Sequence, residues 1–212
     1  MLMLSLSSSG PVASAALIED KQPLAILRGP LGRTHSETIM PLCRKLLENH
    51  RLTPGSIDLF AADAGPGSFT GVRIGVCAAN AMAAAAGKPA VCASSLSGLL
   101  HGRENSCALL DCRNGNGYAM ARAKGLRLPE APVVISELLA RLPEDITIIG
   151  DTELHSELIR SILPHARLES AHVDAVMTGL AAWPEGEIPS GPVSPLYLRP
   201  SQAERMAKER AK

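Results

Sequence analysis

The chain carries one stretch that decides its fold, Gly65-Pro66-Gly67-Ser68-Phe69-Thr70-Gly71-Val72-Arg73-Ile74-Gly75. The largely apolar run 57–62 before it predicts a buried strand, and the alanine-rich run 72–86 after it predicts a helix that ends before Gly87. A strand, a glycine-rich turn and a helix N-terminus can bind an anion, because free backbone N–H groups and the helix dipole point at the turn.

Two familiar phosphate-binding templates do not fit this turn. A P-loop needs Gly-Lys-Ser/Thr at the start of the helix, whereas Val72 and Arg73 follow Gly71 here. A dinucleotide fingerprint needs GxGxxG and a later acidic residue, but the third glycine lies one residue too far on, and no acid occurs before Glu104. Two interpretations therefore stay open: phosphate contact, and a structural turn that lets the helix pack close to the sheet.

Composition excludes several classes of protein. The 212 residues contain 21 Lys and Arg and 21 Asp and Glu, so the net charge of zero argues against nucleic-acid binding by the overall field. One Trp, two Tyr and two Phe leave little for stacking on bases. Five cysteines without CxxC spacing indicate buried thiols in a reducing compartment. With no signal-peptide pattern and no apolar run of roughly 20 residues, we expect a cytoplasmic protein without a membrane segment.

The remaining pattern predicts alternating strands and helices. Residues 2–28 predict a three-strand meander, and 35–50 predicts a helix. Thr34 and Glu37 have the spacing of a capping box, and Pro41 should bend that helix or delay its start. Polar residues 102–105 mark a boundary, and a charged tail ends the chain at 201–212. A second set of strands and helices is predicted near 107–111, 118–123, 136–141, 146–150, 152–163 and 173–182.

Chemistry-bearing residues form no recognisable catalytic set. The six histidines make no HExxH pair, so we predict no metal site. His35 fits a helix cap, and Asp63 ends a strand without a second carboxylate nearby in sequence. Asp111 and Arg113 flank Cys112 at a strand end, where an ion pair fits better than a site. Taken alone, the residues predict an α/β protein with no catalytic residue.

A family resemblance becomes visible when the flanking motifs are added. Residues 65–75 together with the segments below resemble the TsaB (YeaZ) family, most strongly over 34–118 and 195–204. These segments are His35-Ser36-Glu37, Pro41, Gly87-Lys88-Pro89, Ser94-Ser95-Leu96, Asp111-Cys112-Arg113, Tyr118 and Pro195-Leu196-Tyr197-Leu198-Arg199. The resemblance implies a two-lobed, actin-like and sugar-kinase-like (ASKHA) α/β fold with a short second lobe. The N-terminal lobe would span 1–102, with 194–212 returning to it, and the second lobe 103–193.

The resemblance also implies a function. The chain would be a non-catalytic subunit that pairs with a TsaD-type catalytic paralogue, helped by a TsaE-type ATPase. That complex transfers a threonylcarbamoyl group to the adenosine beside the tRNA anticodon. This chain would hold no cofactor, with ATP and metal only in the partner subunits, would meet tRNA only through the complex, and would form a homodimer when isolated.

Three positions oppose catalysis by this chain. Compared with the catalytic paralogue, Ser95 and Leu99 replace two metal-binding histidines, and Ser7 replaces the acid of the actin-like phosphate turn. The alternative functions are an actin-fold ATPase or small-molecule kinase, which needs that acid, and a metal-dependent peptidase, which needs those histidines.

The helices 35–50 and 72–86 are the predicted partner surface. Alanines surround most of helix 72–86, so either helix 35–50 or a partner must cover it. Both interpretations remain open, and we predict a bundle with the equivalent helix pair of the partner. The predicted contact residues are His35, Ile39, Met40, Cys43, Leu47, Arg73, Ala79, Met82 and Ala83.

Overall fold

A computed structural model describes residues 1–188 and 190–199, which form two five-stranded sheets. The first unit contains β1 (Leu2–Ser7), β2 (Ser14–Glu19), β3 (Gln22–Arg28), α1 (His35–Asn49), β4 (Leu59–Asp63), α2 (Phe69–Ala86) and β5 (Ala90–Ala93), and a short helix α3 (Ser95–Leu99) follows. The second unit contains β6 (Ser106–Asp111), β7 (Asn116–Ala123), β8 (Leu126–Val134), α4 (Ile135–Leu139), β9 (Thr147–Gly150), α5 (Ser156–Ile162) and β10 (Arg167–Ser170), and α6 (Ala175–Ala181) follows.

The two sheets have the same topology. Their strand orders are β3-β2-β1-β4-β5 and β8-β7-β6-β9-β10. In each sheet the first three strands are antiparallel, and the fourth and fifth strands run parallel to the first. The fold is therefore a duplicated βββαβαβ unit, and the predicted two-lobed α/β class is confirmed. The second lobe is the shorter one, because α4 and α5 have 5 and 7 residues where α1 and α2 have 15 and 18.

The first sheet is covered on both faces, which explains the continuous apolar runs of its strands. On one face, α1 and α2 close a core around Phe60 and Leu4. On the other face, α6 covers a smaller cluster that includes Met3 and Leu59. Residues 2–28 form the predicted three-strand meander.

Helix α2 begins earlier than predicted. Ser68 is its N-cap and accepts a hydrogen bond from the N–H of Gly71, so Phe69, Thr70 and Gly71 form the first helical turn. Gly87 ends the helix in the left-handed conformation with φ of 63°. By length and composition alone α2 could cross a membrane. However, 44% of it is buried, and it packs on β1, β4 and α1 as a core helix does.

The capping box predicted for α1 is wrong, and of the two effects predicted for Pro41 the delayed start is also wrong. Thr34 is the N-cap residue, but its side chain makes no capping hydrogen bond, and its carbonyl accepts one from the Thr38 hydroxyl at 2.8 Å. Pro41 does not delay the helix, which begins at His35. Pro41 and Glu37 are both exposed, so water can bond the carbonyl that the proline leaves unpaired.

The sequence interpretation missed β8 and β10. β8 carries Pro129 and Pro132, which argue against a central strand but are tolerated at an edge. Among the described residues β8 pairs only with β7, at the edge of the second sheet. β10 is a four-residue edge strand whose two end residues are exposed, so it has no apolar alternation.

Helices α3 and α6 each follow one sheet in the chain but pack on the other sheet. α3 packs on β6 and β7 of the second sheet, whereas α6 packs on β1, β2 and β4 of the first, and the two helices contact each other. The predicted ranges 1–102 and 103–193 each contain the helix that packs on the other sheet. The predicted tail at 201–212 lies outside the described residues.

The close packing of α2 makes a prediction about Gly71. A Cβ at this position would collide with the backbone carbonyl oxygen of Ser8, which cannot move without displacing the turn after β1. We expect Gly71→Ala to lower the free energy of unfolding by about 1–3 kcal/mol, measured by urea denaturation. Gly186→Ala is the control, since a Cβ there meets no atom within 4 Å. Equal stabilities of the two variants would contradict this packing.

Candidate functional site

A fully buried carboxylate lies beneath the glycine turn. Asp63, the last residue of β4, accepts hydrogen bonds from the Ser7 hydroxyl at 2.9 Å, the Ser95 hydroxyl at 2.7 Å and the Gly65 N–H at 2.9 Å. The Ser9 hydroxyl is a fourth donor to the same carboxylate. The donors come from the ends of β1, β4 and the start of α3, so Asp63 ties three segments together.

The turn after β1 packs directly against the start of α2. The Ser9 carbonyl accepts from the Ser68 N–H at 2.8 Å, and the Ser8 hydroxyl donates to the Gly71 carbonyl at 2.8 Å. A Cβ at Gly67 would lie 2.6 Å from the Ser9 carbonyl oxygen. Because the chain itself occupies this space, the contacts favour the structural interpretation of the turn over phosphate contact.

Burial governs the ionisation of Asp63. Desolvation raises the pKa of this carboxyl, and the four hydrogen bonds lower it but do not compensate. The folded state therefore favours the protonated acid more than the unfolded chain does, so ionised Asp63 costs stability. A carboxyl held in this way stabilises the turn and is inaccessible to a substrate.

Two positions that the resemblance assigned to lost chemistry meet at Asp63. Ser7 replaces the acid of the phosphate turn and Ser95 replaces a metal-binding histidine, and both hydroxyls donate to this one carboxylate. Leu99, at the second lost histidine, is buried in a cluster between α3 and the second sheet. The residues at these positions thus take part in packing and internal hydrogen bonds.

A cleft of about 570 Å³ separates the two lobes beside this network. Four segments contribute to its lining: the serine turn after β1 (residues 7–10), the glycine turn (65–71), the start of α1 and the polar residues 111–113 at the end of β6. Its lining residues are Ser9, Gly10, Pro11, His35, Pro66, Gly67, Ser68, Leu110, Asp111, Cys112, Arg113, Tyr118, Asp151, His172 and Val173.

The predicted ion pair between Asp111 and Arg113 is wrong. Arg113 donates only its backbone N–H to the Asp111 carboxylate, at 3.0 Å, and its residue is exposed. Asp111 instead contacts His155 Nε2 at 3.0 Å, and its own N–H donates to Asp151 at 2.8 Å. The sequence interpretation missed His155 and Asp151, because both lie about 40 residues from Asp111 and no local motif connects them.

No metal-binding group is evident in the part of the chain that the structure describes. Within residues 1–188 and 190–199, no three His, Cys, Asp or Glu side chains come together as metal ligands. His172 lies 3.7 Å from Asp151, which itself accepts the Asp111 N–H. Both carboxylates of the cleft are thus engaged by the protein's own groups.

Most of the predicted partner-contact residues pack inside this chain. Six of the nine form part of the core between α1, α2 and the first sheet, so they are not surface residues: Ile39, Cys43, Leu47, Ala79, Met82 and Ala83. Met40 and Arg73 are exposed, and His35 is half-buried with Nε2 2.9 Å from the Gly10 carbonyl. The sequence could not separate buried from exposed residues here, because an alanine-rich helix has no polar pattern that marks its outer face, and the partner contact itself stays a prediction. The outer face of α2 consists of Phe69, Thr70 and Arg73 near its start and of the small uncharged residues Cys77, Ala81, Ala84 and Ala85 beyond them.

A C-terminal strap, residues 193–199, connects α2 with both lobes. Val193 exchanges two hydrogen bonds with the Asn80 side chain, each of 2.9 Å, and the Leu196 N–H donates to the Ala64 carbonyl at 2.8 Å. At its end, Arg199 donates to the Cys112 sulfur at 3.1 Å and to Asn116 at 3.2 Å in the second lobe. The strap therefore joins the outer edge of α2 to the rim of the cleft.

Comparisons with known proteins agree with this architecture. A family model described as "TsaD: tRNA N6-adenosine threonylcarbamoyltransferase" matches residues 30–135, half of the chain. The chain is 33% identical over 124 residues to the "tRNA threonylcarbamoyladenosine biosynthesis protein TsaB" of Haemophilus influenzae, a match that covers 56% of this chain and 52% of that protein. The protein of the same name from Bacillus subtilis is 29% identical over 176 residues, covering 77% of each chain.

Solved structures show the same fold. One structure, titled as "an uncharacterized protein with similarity to peptidase YEAZ from Pseudomonas aeruginosa", superposes with a TM-score of 0.76 at 24% identity, over 93% of this chain and 99% of that one. Two duplicated sheets around an interlobe cleft, with helices crossing between them, define a two-lobed α/β protein. Within that class the chain belongs to the TsaB (YeaZ) family.

The buried carboxylate makes a prediction about pH. Because the pKa of Asp63 is raised in the folded state, its stabilising contribution is complete below the unfolded value of about 3.9 and is lost as pH rises through the folded pKa. We expect the free energy of unfolding of the parent to fall with rising pH relative to that of Asp63→Asn, in urea titrations from pH 4 to 8.

The control for this experiment is Asp58→Asn. The Leu2 N–H lowers the pKa of exposed Asp58, so this carboxylate stabilises the protein above the unfolded pKa and that contribution is lost on acidification. Its pH dependence therefore has the opposite sign. Parallel stability curves for the parent and Asp63→Asn would show that Asp63 carries no desolvation cost.

Proposed function

We propose that this chain is a non-catalytic subunit that pairs with a TsaD-type catalytic paralogue and activates it for tRNA threonylcarbamoyladenosine synthesis. One observation carries the proposal: Ser7 and Ser95, at positions where catalytic relatives need an acid and a metal ligand, both donate to the buried Asp63. An active site built on this framework lacks the groups that would bind metal or phosphate. A chain of this kind would act by binding a catalytic partner and would not catalyse a reaction itself.

The relatives support the choice of pathway and partner. The Haemophilus and Bacillus relatives are named for tRNA threonylcarbamoyladenosine biosynthesis, and the matching family model is named for the threonylcarbamoyltransferase itself. Because this chain and a transferase-type paralogue would share a fold, they can pair through equivalent surfaces related by a pseudo-twofold axis. We propose further that a TsaE-type ATPase assists the pair, that ATP and metal are held only by the partner subunits, and that tRNA meets this chain only through the complex in the cytoplasm.

The surface that supports pairing is the outer face of α2. Cys77, Ala81, Ala84 and Ala85 are exposed there, and none carries a charge. Small side chains let a second helix approach closely, and an uncharged helical face in water is costly unless a partner covers it. The same face allows the isolated chain to pair with a second copy of itself.

The proposal is tested by reconstitution. We expect no ATP hydrolysis and no threonylcarbamoyl transfer by the purified chain above a heat-inactivated control. Adding it to the TsaD-type and TsaE-type proteins of the same organism should raise transfer to tRNA well above the level of those two proteins alone. Turnover by this chain alone would revive the ATPase or kinase alternative, and transfer that does not depend on this chain would refute the activating role.

The interface is tested by placing a charge on the outer face of α2. Ala81→Arg puts a guanidinium in the centre of the small-residue face, where burial without a counter-charge is strongly unfavourable. We expect the variant to stay folded by circular dichroism and to bind the TsaD-type partner at least about 30-fold more weakly, with loss of the self-dimer.

The matched control is Ala140→Arg, which places the same charge at the exposed end of α4 in the second lobe. This variant should bind the partner and self-associate as the parent does. If both variants bind the partner with the affinity of the parent, the interface lies away from α2.

A further inference from the structure

Helix α2 has one charged side chain, which two aromatic rings and one hydrogen bond hold in place. Arg73 is the only Asp, Glu, Lys or Arg among the 18 residues of α2. Its guanidinium carbon lies 4.1 Å from the centre of the Phe69 ring and 5.7 Å from that of Tyr197, and its Nε donates to the Tyr197 hydroxyl at 2.7 Å. The two rings are themselves 5.3 Å apart.

This aromatic clamp is exposed although it contains two large rings. Phe69 and Tyr197 are 43% and 48% exposed. Stacking and the hydrogen bond fix the plane of the guanidinium before any ligand binds. Less side-chain conformational entropy is therefore lost on binding. Tyr197 belongs to the C-terminal strap, so the clamp joins a helix and a segment that are 124 residues apart.

The clamp leaves its cation without a counter-charge in the described part of the chain. Among residues 1–188 and 190–199, no carboxylate forms a salt bridge with Arg73, and only its Nε makes a side-chain hydrogen bond. The two terminal nitrogens of the guanidinium fork are the donors that match a carboxylate in a bidentate pair. An exposed, preorganised fork beside an uncharged face is complementary to one negative group.

We propose that Arg73, held by Phe69 and Tyr197, is the charged anchor of the α2 interface and receives a carboxylate side chain from the protein partner. The inference rests on the proposed pairing and adds the chemistry by which the partner is recognised. Tyr, Arg and Phe around one desolvated contact are the composition of an interface hot spot. An RNA backbone is the poorer fit, because phosphates recur along it, whereas α2 offers no second cation.

The experiment measures affinity for the purified TsaD-type paralogue by calorimetry, with full-length variants. Arg73→Gln removes the charge and should weaken binding by about 30-fold or more. Arg73→Lys retains the charge but loses the planar fork, and Tyr197→Phe retains the ring but loses the hydroxyl, so both should fall between. Arg160→Gln, on exposed α5 of the second lobe, is the matched control and should bind like the parent.

A charge reversal identifies the group that Arg73 contacts. Arg73→Glu should fail to bind the parent partner, and one Asp→Lys or Glu→Lys variant from a scan of the partner's surface should restore binding. If Arg73→Gln instead weakens tRNA binding by the assembled complex while partner affinity is unchanged, the contacted group is a phosphate and the proposal is wrong. Loss of the self-dimer alone, with partner affinity unchanged, would assign the anchor to a second copy and also overturn it.

The outcomes separate this inference from the proposed function. Partner affinity that is lost in Ala81→Arg but unchanged in Arg73→Gln would leave the pairing intact and remove Arg73 as its anchor. A parent chain that does not bind the TsaD-type paralogue would overturn both.

Discussion

The burial of Asp63 is the constraint on which the rest of the first lobe depends. A carboxylate without solvent must have its oxygens bonded, and here three hydroxyls and one backbone N–H do so. Meeting that requirement places the turn after β1 against the glycine turn and α3 against β4. Glycines at 67, 71 and 75 follow from it, because the serine turn occupies the volume that a Cβ would need at each of these positions. The position of α2, and with it the outward direction of Arg73, is thus a consequence of one buried acid.

The two lobes share a strand order but differ in their helices and turns. The first unit has long helices and a glycine turn that is filled by the turn after β1. The second unit has the same sheet but helices of only 5 and 7 residues. The equivalent of Asp63 at the end of β9 is Gly150, and the following Asp151 faces the cleft. The cleft is therefore lined by carboxylates that histidines and backbone groups of this chain already engage, while the exposed α2 face lies on the first lobe. A cleft whose carboxylates are bonded internally, together with an exposed helix face, is consistent with the proposed role in binding a protein partner.

Much of the fold could be predicted from the sequence, because periodicity reports local structure directly. The meander, α1, β4 and α2 all follow from apolar runs and turn residues. β8 was missed because its two prolines are acceptable only at an edge, and edges are defined by pairing. The three serine partners of Asp63 lie 32 to 56 residues from it in sequence, so no local pattern could identify them. Alanines carry no polarity, so only the structure distinguishes buried Ala79 and Ala83 from exposed Ala81 and Ala84.

We propose that this chain acts through the face of α2 and not through its cleft. Hydrogen–deuterium exchange of the full chain, with and without the TsaD-type paralogue, tests that claim most directly, because it reports both regions in one experiment. We expect slower exchange in peptides covering 64–88 and 193–199 on partner binding, with little change in peptides covering 107–118. Protection confined to 107–118, with exchange across 64–88 unaltered, would contradict it.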